Sequence, residues 1–222
     1  MSAGELVAFW AGTAPGVRER YTNVKLIGSG AYSVVARATE KKTGTTVAIK
    51  RIAEVFYDAQ EAKKVRAPTL PLSLPLHLCS PALWHFQVLR EIRLLRDFSH
   101  PNIITLRSLA EPASMETFDD IFMVTEFMES DLRKIIKSKQ TLEAEKVRSF
   151  MAQLFAGLHH VHAISGIHRD LKPANILVSP SRVSPATPYG ILQLCDFGLA
   201  RVDANSVGSA CHVAFGPSAP ST

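Results

Sequence analysis

The pattern of apolar and polar residues becomes strand-like at Tyr21. The pattern runs through Val24-Lys25-Leu26-Ile27, stops at Gly28-Ser29-Gly30 and resumes over Ala31-Tyr32-Ser33-Val34-Val35. Strand-like patterning on both sides of a glycine turn predicts strand, turn and strand. Lys41-Lys42-Thr43-Gly44 marks a hairpin turn, after which Thr46-Val47-Ala48-Ile49-Lys50 alternates as a strand that ends on a lysine. Further on, His100-Pro101-Asn102-Ile103-Ile104 predicts a turn leading to a strand, and Ile121-Phe122-Met123-Val124-Thr125 predicts the next one. The period then lengthens. Leu132 to Lys137 opens a short helix. Val147, Phe150, Met151, Leu154, Phe155, Leu158 and Val161 follow at i, i+3, i+4, i+7 spacing, which predicts a buried helix with all of them in the core. Residues 1–20, small and containing Gly and Pro, predict a flexible leader.

Leu89-Arg90-Glu91-Ile92-Arg93-Leu94-Leu95 also carries a helical pattern, with Ile92 and Leu95 on one face and Glu91 on another. The stretch before it is proline-rich. Joining Glu61-Ala62-Lys63-Lys64-Val65 directly to Leu89 would give one amphipathic helix with Val65, Ile92 and Leu95 in register. Residues near 66–88 therefore read as an insertion that interrupts the helix one turn before Glu91, either a retained intron or alternative exon, or a surface loop. The same stretch holds the most apolar window, Pro68 to Val88, but Pro71, Pro75 and Pro81 would break any spanning helix.

Composition narrows the class. A length of 222 residues, 46% hydrophobic and 20% charged, fits a globular chain with enough residues for a real core. The net charge of +5 comes from scattered Lys and Arg, so nucleic acid is not indicated. Cys79, Cys195 and Cys211 are odd in number and lack a CxxC pair, which argues against a disulfide framework or zinc site and for a reducing compartment. No basic region followed by an apolar run opens the chain, so no secretory signal is expected. A cytoplasmic or nuclear location follows as the expectation, with no membrane partner.

Candidate chemistry concentrates in His168-Arg169-Asp170-Leu171-Lys172-Pro173-Ala174-Asn175. A proton acceptor (Asp170), a cation (Lys172) and an amide oxygen (Asn175) in one short stretch are what phosphoryl transfer needs. Asp196-Phe197-Gly198 follows 21 residues after Asn175. Gly28 and Gly30 would let backbone N–H groups approach phosphates, although hairpins also use glycine for ordinary turns. Lys50 is either a solvated strand-end lysine or a phosphate contact. His159, His160 and His162 read as packing or surface residues and not as metal ligands.

Taken together, Gly28-Ser29-Gly30-Ala31-Tyr32, Val47-Ala48-Ile49-Lys50, Arg90–Leu95, Glu126–Leu132, His168–Asn175 and Cys195–Arg201 resemble a eukaryotic mitogen-activated protein kinase, over roughly Tyr21 to Arg201. Lys172, two residues past Asp170, resembles serine/threonine kinases. The resemblance implies an α+β, bilobal fold. Its β-rich N-lobe would span 21–128 with an inserted loop near 66–88, its partial helical C-lobe 129–201, and residues 202–222 would be a non-family tail.

The resemblance also implies ATP and Mg2+ as cofactors and protein Ser/Thr hydroxyls as substrates, with an upstream kinase as a further partner. Asp170 would orient and deprotonate the substrate hydroxyl, and Lys172 would neutralise the transferring phosphate. Asn175 and Asp196 would hold magnesium. Lys50, locked by Glu91, would position the triphosphate. Ile27, Gly28, Ser29, Gly30, Ala31, Tyr32, Ser33, Val34 and Val35 would line the nucleotide, with Val35, Ala48 and Leu177 around adenine. Thr125 would close the back of the pocket, and backbone groups of Glu126 and Met128 would meet the base.

Several features depart from the family pattern. Ser33 replaces a third glycine. The Asn175–Asp196 interval is too long, its excess lying in Ser179–Gly190 where a tight hairpin is expected. Val202 to Thr222 has no Thr-x-Tyr or Ala-Pro-Glu segment, so an incomplete C-lobe is expected. Ser206 and Ser209 lie where an activation loop would run. A non-catalytic nucleotide- or partner-binding fragment is the alternative reading.

Overall fold

The computed structural model describes residues 9–202 apart from 12, 14, 31, 54, 56–83, 115–117 and 119. Strands β1 (Tyr21–Ser29), β2 (Ser33–Glu40), β3 (Thr46–Ile52), β4 (Leu106–Leu109) and β5 (Ile121–Glu126) form an antiparallel sheet in the order β1-β2-β3-β5-β4. A smaller sheet joins β6 (Ser130–Asp131), β8 (Ile176–Ser179) and β9 (Ile191–Leu194), and β7 (Gly166–Ile167) pairs with β10 (Arg201–Val202). The α-helices among the described residues include α1 (Pro15–Glu19), α2 (Trp84–Asp97), α3 (Leu132–Lys137) and α4 (Ala144–Ala163). A β-sheet lobe followed by a helix-bearing one is the bilobal arrangement that the resemblance implies.

Alternation splits the large sheet into two faces with separate cores. Ala36, Ala38, Val47, Ile49, Phe122 and Val124 point outward, while Ile52, Ile121 and Met123 join the core beneath. The outward face is covered by Phe9, Trp10 and Val17. All three are buried against it, so the described part of 1–20 is not a loose leader. Trp10 stacks between Tyr21 and Phe122, each ring centroid 5.7 Å away, and Phe9 meets Phe122 edge-on at 5.9 Å. Each buried large apolar side chain contributes about 1.5–3 kcal/mol. That gain orders a segment whose sequence has no periodicity of its own.

Helix α2 departs from its sequence reading in two ways. It starts at Trp84, so the last five residues of the expected insertion (84–88) are helical. Val88 fills the position that Val65 would have taken in a direct join, immediately before Leu89, and it is buried. Glu91 shares the buried face with Val88 and Leu95 instead of standing apart. Only a cation at the end of its side chain makes that placement tolerable. Residues 66–83 lie outside the described residues.

Helix α4 buries Phe150, Gln153, Leu154, Gly157 and Val161. Val147, Met151 and Phe155 are exposed, the last by 60%, which corrects the expectation that the whole apolar set is core. At 100° per residue these three centre about 100° away from the buried stripe. The helix lies close to its neighbours because Gly157 has no side chain: a Cβ there would come 2.9 Å from the Asn102 carbonyl oxygen and 3.1 Å from Leu194. A buried amide network then fixes the register. Asn102 Nδ2 donates to Gln153 Oε1 (3.0 Å) and to the Leu192 carbonyl (2.9 Å), while Leu192 N–H donates to Gln153 Oε1 at 2.9 Å. The turn at 100–104 joins the lobes through Leu194 N–H to Asn102 O and Ile104 N–H to Leu194 O, both 2.9 Å.

Candidate active site

A cavity of about 460 Å³ opens between the lobes. Its upper wall is the inner face of the large sheet, where Ile27, Val35, Ala48 and Lys50 line it. Leu177 on β8 forms the floor, and Thr125, Glu126 and Met128 close the side where the chain passes between the lobes. An apolar slot with a few convergent polar groups suits a flat heteroaromatic ligand.

The glycine turn sits at the mouth. Gly28, Ser29 and Gly30 are exposed, and Gly30 N–H donates to Ser33 O at 2.7 Å. A Cβ at Gly30 would come 3.1 Å from Ser33 Oγ, so a serine at 33 leans on the glycine at 30. Of the expected run 27–35, only Ile27 and Val35 line the cavity among the described residues. Val34 packs on the outward core, because adjacent strand residues face opposite ways, and Tyr32 is 58% exposed. Ala31 lies outside the described residues.

Lys50 and Glu91 meet as expected, Nζ lying 3.0 and 2.9 Å from the two carboxylate oxygens. Burial alone would push the lysine's pKa down, but the Glu91 carboxylate, then Asp196, outweigh it and hold the ammonium above its ordinary value. Arg90, one residue earlier, donates to the Gly198 carbonyl at 3.0 Å and ties α2 to the Asp196-Phe197-Gly198 turn.

The His168–Asn175 loop is braced from within. Asp170 N–H donates to His168 Nδ1 at 3.3 Å, and His168 Nε2 lies 3.0 Å from the Cys195 carbonyl. The first bond needs a bare Nδ1, so the hydrogen sits on Nε2 and is donated to Cys195. The imidazole also packs on Phe197 with centroids 4.7 Å apart, and Phe197 is fully buried against Phe98. Arg169 and Asp196 both adopt φ of 67°, in the left-handed region that non-glycine residues seldom occupy. Such backbone persists only where its surroundings hold it.

Asp170 Oδ2 accepts from Lys172 Nζ at 2.6 Å and from Asn175 Nδ2 at 2.9 Å. Both bonds land on one oxygen, so Oδ1 carries neither of them. Since Asn175 donates through its nitrogen, its Oδ1 is free to act as an oxygen ligand. Asn175 and Asp196 line the same cavity as Lys50; Lys172 is held above its ordinary pKa by its hydrogen bond to Asp170 first, with the Asp196 charge adding to it. A carboxylate and an amide oxygen facing one space form the hard-oxygen donor set that magnesium takes. Cys195, next to Asp196, has a thiol that burial pushes well above its ordinary range, so it stays protonated.

Two groups missed by the sequence reading act on the hinge. Arg182 Nη2 donates to Glu126 Oε2 at 2.6 Å, and Gln193 Nε2 donates to Glu126 Oε1, also at 2.6 Å. The Ser179–Gly190 interval, read from the sequence as too long for the family's tight hairpin, is a loop that reaches back to this residue. No spacing rule pairs an arginine with a glutamate 56 positions away. Among the described residues no helix is long and apolar enough to cross a membrane, and no group of three or more His, Cys, Asp or Glu could hold a metal ion.

Comparison with known proteins bears on this geometry. Residues 21–214 match the protein kinase domain family, taking in part of the stretch assigned to a non-family tail. Extracellular signal-regulated kinase 1 of Dictyostelium discoideum is 37% identical over 187 residues, covering 84% of this chain and 30% of that protein. Mitogen-activated protein kinase 17 of Oryza sativa subsp. japonica is 38% identical over 198 residues, covering 89% of this chain and 29% of that one. Mitogen-activated protein kinase 7 of Arabidopsis thaliana is 36% identical over 182 residues, covering 82% and 41%. The chain thus spans between about three and four tenths of the length of these relatives. With the paired Lys50–Glu91, the braced His168–Asn175 loop and this match over most of its length, the chain belongs to the protein kinase family and is similar to its mitogen-activated members.

Proposed function

We propose that this chain carries the nucleotide and catalytic elements of an ATP-dependent protein serine/threonine kinase of the mitogen-activated type. The observation that carries the reading is convergence. Lys50, the Asp170–Asn175 loop and Asp196 come from three separate stretches of chain; Lys50, Asn175 and Asp196 line one cavity, and Asp170 is hydrogen-bonded to Asn175 at its edge at 2.9 Å.

Adenine fits between Val35 and Ala48 above and Leu177 below, with backbone groups of Glu126 and Met128 along its edge and Thr125 at the back. Lys50, held by Glu91, faces the phosphates, and the Gly28–Gly30 turn covers them. Asn175 and Asp196 would hold magnesium, which would supply positive charge to offset that of the phosphates. Asp170 Oδ1 accepts the proton of a substrate Ser or Thr hydroxyl as its oxygen bonds to the γ-phosphorus and the bond from that phosphorus to the departing ADP breaks, while Lys172 offsets the charge gathering on the transferred group. Little bond-making falls to the protein, so positioning and fixed charge carry the rate. Protein substrates, an activating kinase upstream and a cytoplasmic or nuclear setting belong to the same reading.

The test is phosphate transfer from labelled Mg-ATP to a generic basic protein, beside a thermal shift with Mg-ATP. Transfer that disappears in Asp170→Asn supports the enzyme. A thermal shift without transfer in the wild-type chain favours the binding-module alternative, and neither response removes the nucleotide reading altogether.

A further inference from the structure

The loop between β8 and β9 is long, yet it is well braced. Ser184 and Thr187 exchange backbone hydrogen bonds of 3.3 and 3.0 Å, and their hydroxyls lie 2.8 Å apart. Gly190, at φ 97°, closes the loop where a Cβ would lie 2.4 Å from the Ser179 carbonyl oxygen. Gln153 Nε2 on α4 donates to the Gly190 carbonyl at 3.1 Å, and Tyr189 packs against the main core. The loop therefore presents its side chains from a fixed base.

What it presents is directed at three nearby hinge residues. Arg182 places Nη2 2.6 Å from Glu126 Oε2 and Nη1 3.5 Å from Met128 Sδ, and Ser181 Oγ hydrogen-bonds the Glu129 carboxylate. Glu126, Met128 and Glu129 all line the interlobe cavity. Glu126 gathers the lobes as well. Its Oε1 accepts from Gln193 Nε2 on β9 at 2.6 Å and from Thr105 N–H, just before β4, at 3.2 Å. The Glu126 carboxylate is mostly buried, with 11% side-chain exposure, so charge-assisted bonds to it are only weakly screened.

We propose that Arg182 is a positioning residue that latches the hinge from behind, fixing the backbone of 126–129 and the spacing of the lobes for nucleotide binding. Arg182 does not line the cavity, so its effect on the ligand runs through Glu126 and Met128. The proposal rests on the cavity being the nucleotide site. A loop substitution would then alter ligand affinity while every lining residue stayed in place.

The test compares the wild-type chain with Arg182→Ala, Arg182→Lys, Glu126→Gln and the Arg182→Ala/Glu126→Gln double variant. Backbone hydrogen exchange over 121–132 and Mg-ATP affinity are read in each. Arg182→Ala should speed hinge exchange and weaken Mg-ATP by about tenfold, the size of one charged hydrogen bond. Arg182→Lys should restore part of both, and the double variant should add little to either single one. Unchanged hinge exchange in Arg182→Ala overturns the latch, as does an increase spread evenly over α4 and β9, which marks plain destabilisation. Faster hinge exchange with unchanged Mg-ATP affinity overturns the coupling to the cavity. If the wild-type chain does not bind Mg-ATP, the kinase reading falls, while the exchange data still decide whether Arg182 holds the hinge.

Discussion

The two ends of the cleft are built from similar charged residues and hold them in opposite ways. At the catalytic-loop end, Asp170 receives both its bonds on Oδ2, and Asn175 donates while keeping its own oxygen free. At the hinge end, Glu126 has both oxygens engaged by Arg182, Gln193 and the Thr105 amide. The first arrangement leaves acceptor capacity unused, as the proposed reception of a hydroxyl and a cation requires. The second uses that capacity up, as a structural clasp requires. The comparison teaches that a carboxylate in a cleft is best judged by the lone pairs it has left.

The largest effect that would test this contrast is at Asp170. Asp170→Asn should reduce phosphate transfer by about 10²–10⁴-fold, the usual contribution of a general base. The thermal unfolding midpoint should move little, since Asn keeps the shape and one acceptor. A large drop in the midpoint would mean that Asp170 is structural, and the contrast would collapse.

Trp10 lies far from both ends and serves as a reference. Trp10→Ala should cost about 3–5 kcal/mol in denaturant unfolding, as aromatic truncations in packed cores do. Mg-ATP affinity extrapolated to native conditions should stay the same, because the aromatic cluster covers the opposite face of the sheet. Loss of affinity in proportion to stability would show that the outward core sets the cleft.

The hinge end makes a prediction about pH. Burial would raise the Glu126 pKa, but hydrogen bonds from Arg182 and Gln193 outweigh it and hold the carboxyl below its usual 4.5. As pH falls, the unfolded chain takes up this proton before the folded one does. The stabilisation is therefore fully present above about 4.5 and is lost as pH drops through the folded value. Glu126→Gln should flatten the part of the acid limb of stability against pH that belongs to this group. An unchanged limb in that variant would place the acid sensitivity elsewhere.

The smallest expected effect is on the exposed stripe of α4. Phe155→Gln should change stability by no more than about 0.5 kcal/mol, as surface substitutions do. Phe150→Ala, on the buried stripe of the same helix, should cost about 3–5 kcal/mol. Equal costs at the two positions would contradict the helix orientation.

Much of the fold was legible locally. Alternation located β3, strand-like patterning after the glycine turn located β2, and a short apolar run located β5. The His168–Asn175 loop was legible for a related reason: Asp170 finds its partners at Lys172 and Asn175, two and five residues on, so these contacts lie within one short string. Tertiary structure decided what periodicity cannot encode. The helical repeat of α4 marks apolar positions but not which neighbour they meet, and only Asn102 and Leu194 against Gly157 turn Phe150 inward and Phe155 outward. Glu91 appeared to stand off the apolar face of α2 until Lys50, 41 residues away, came within 3 Å of it. Phe9 and Trp10 carry no repeat at all, and they are ordered only by the flat apolar face that β2, β3 and β5 jointly make. Arg182 joins Glu126 across 56 residues. Such pairings depend on where two separately formed pieces of chain come to lie, a property of the assembled sheets and helices that no single stretch of sequence contains.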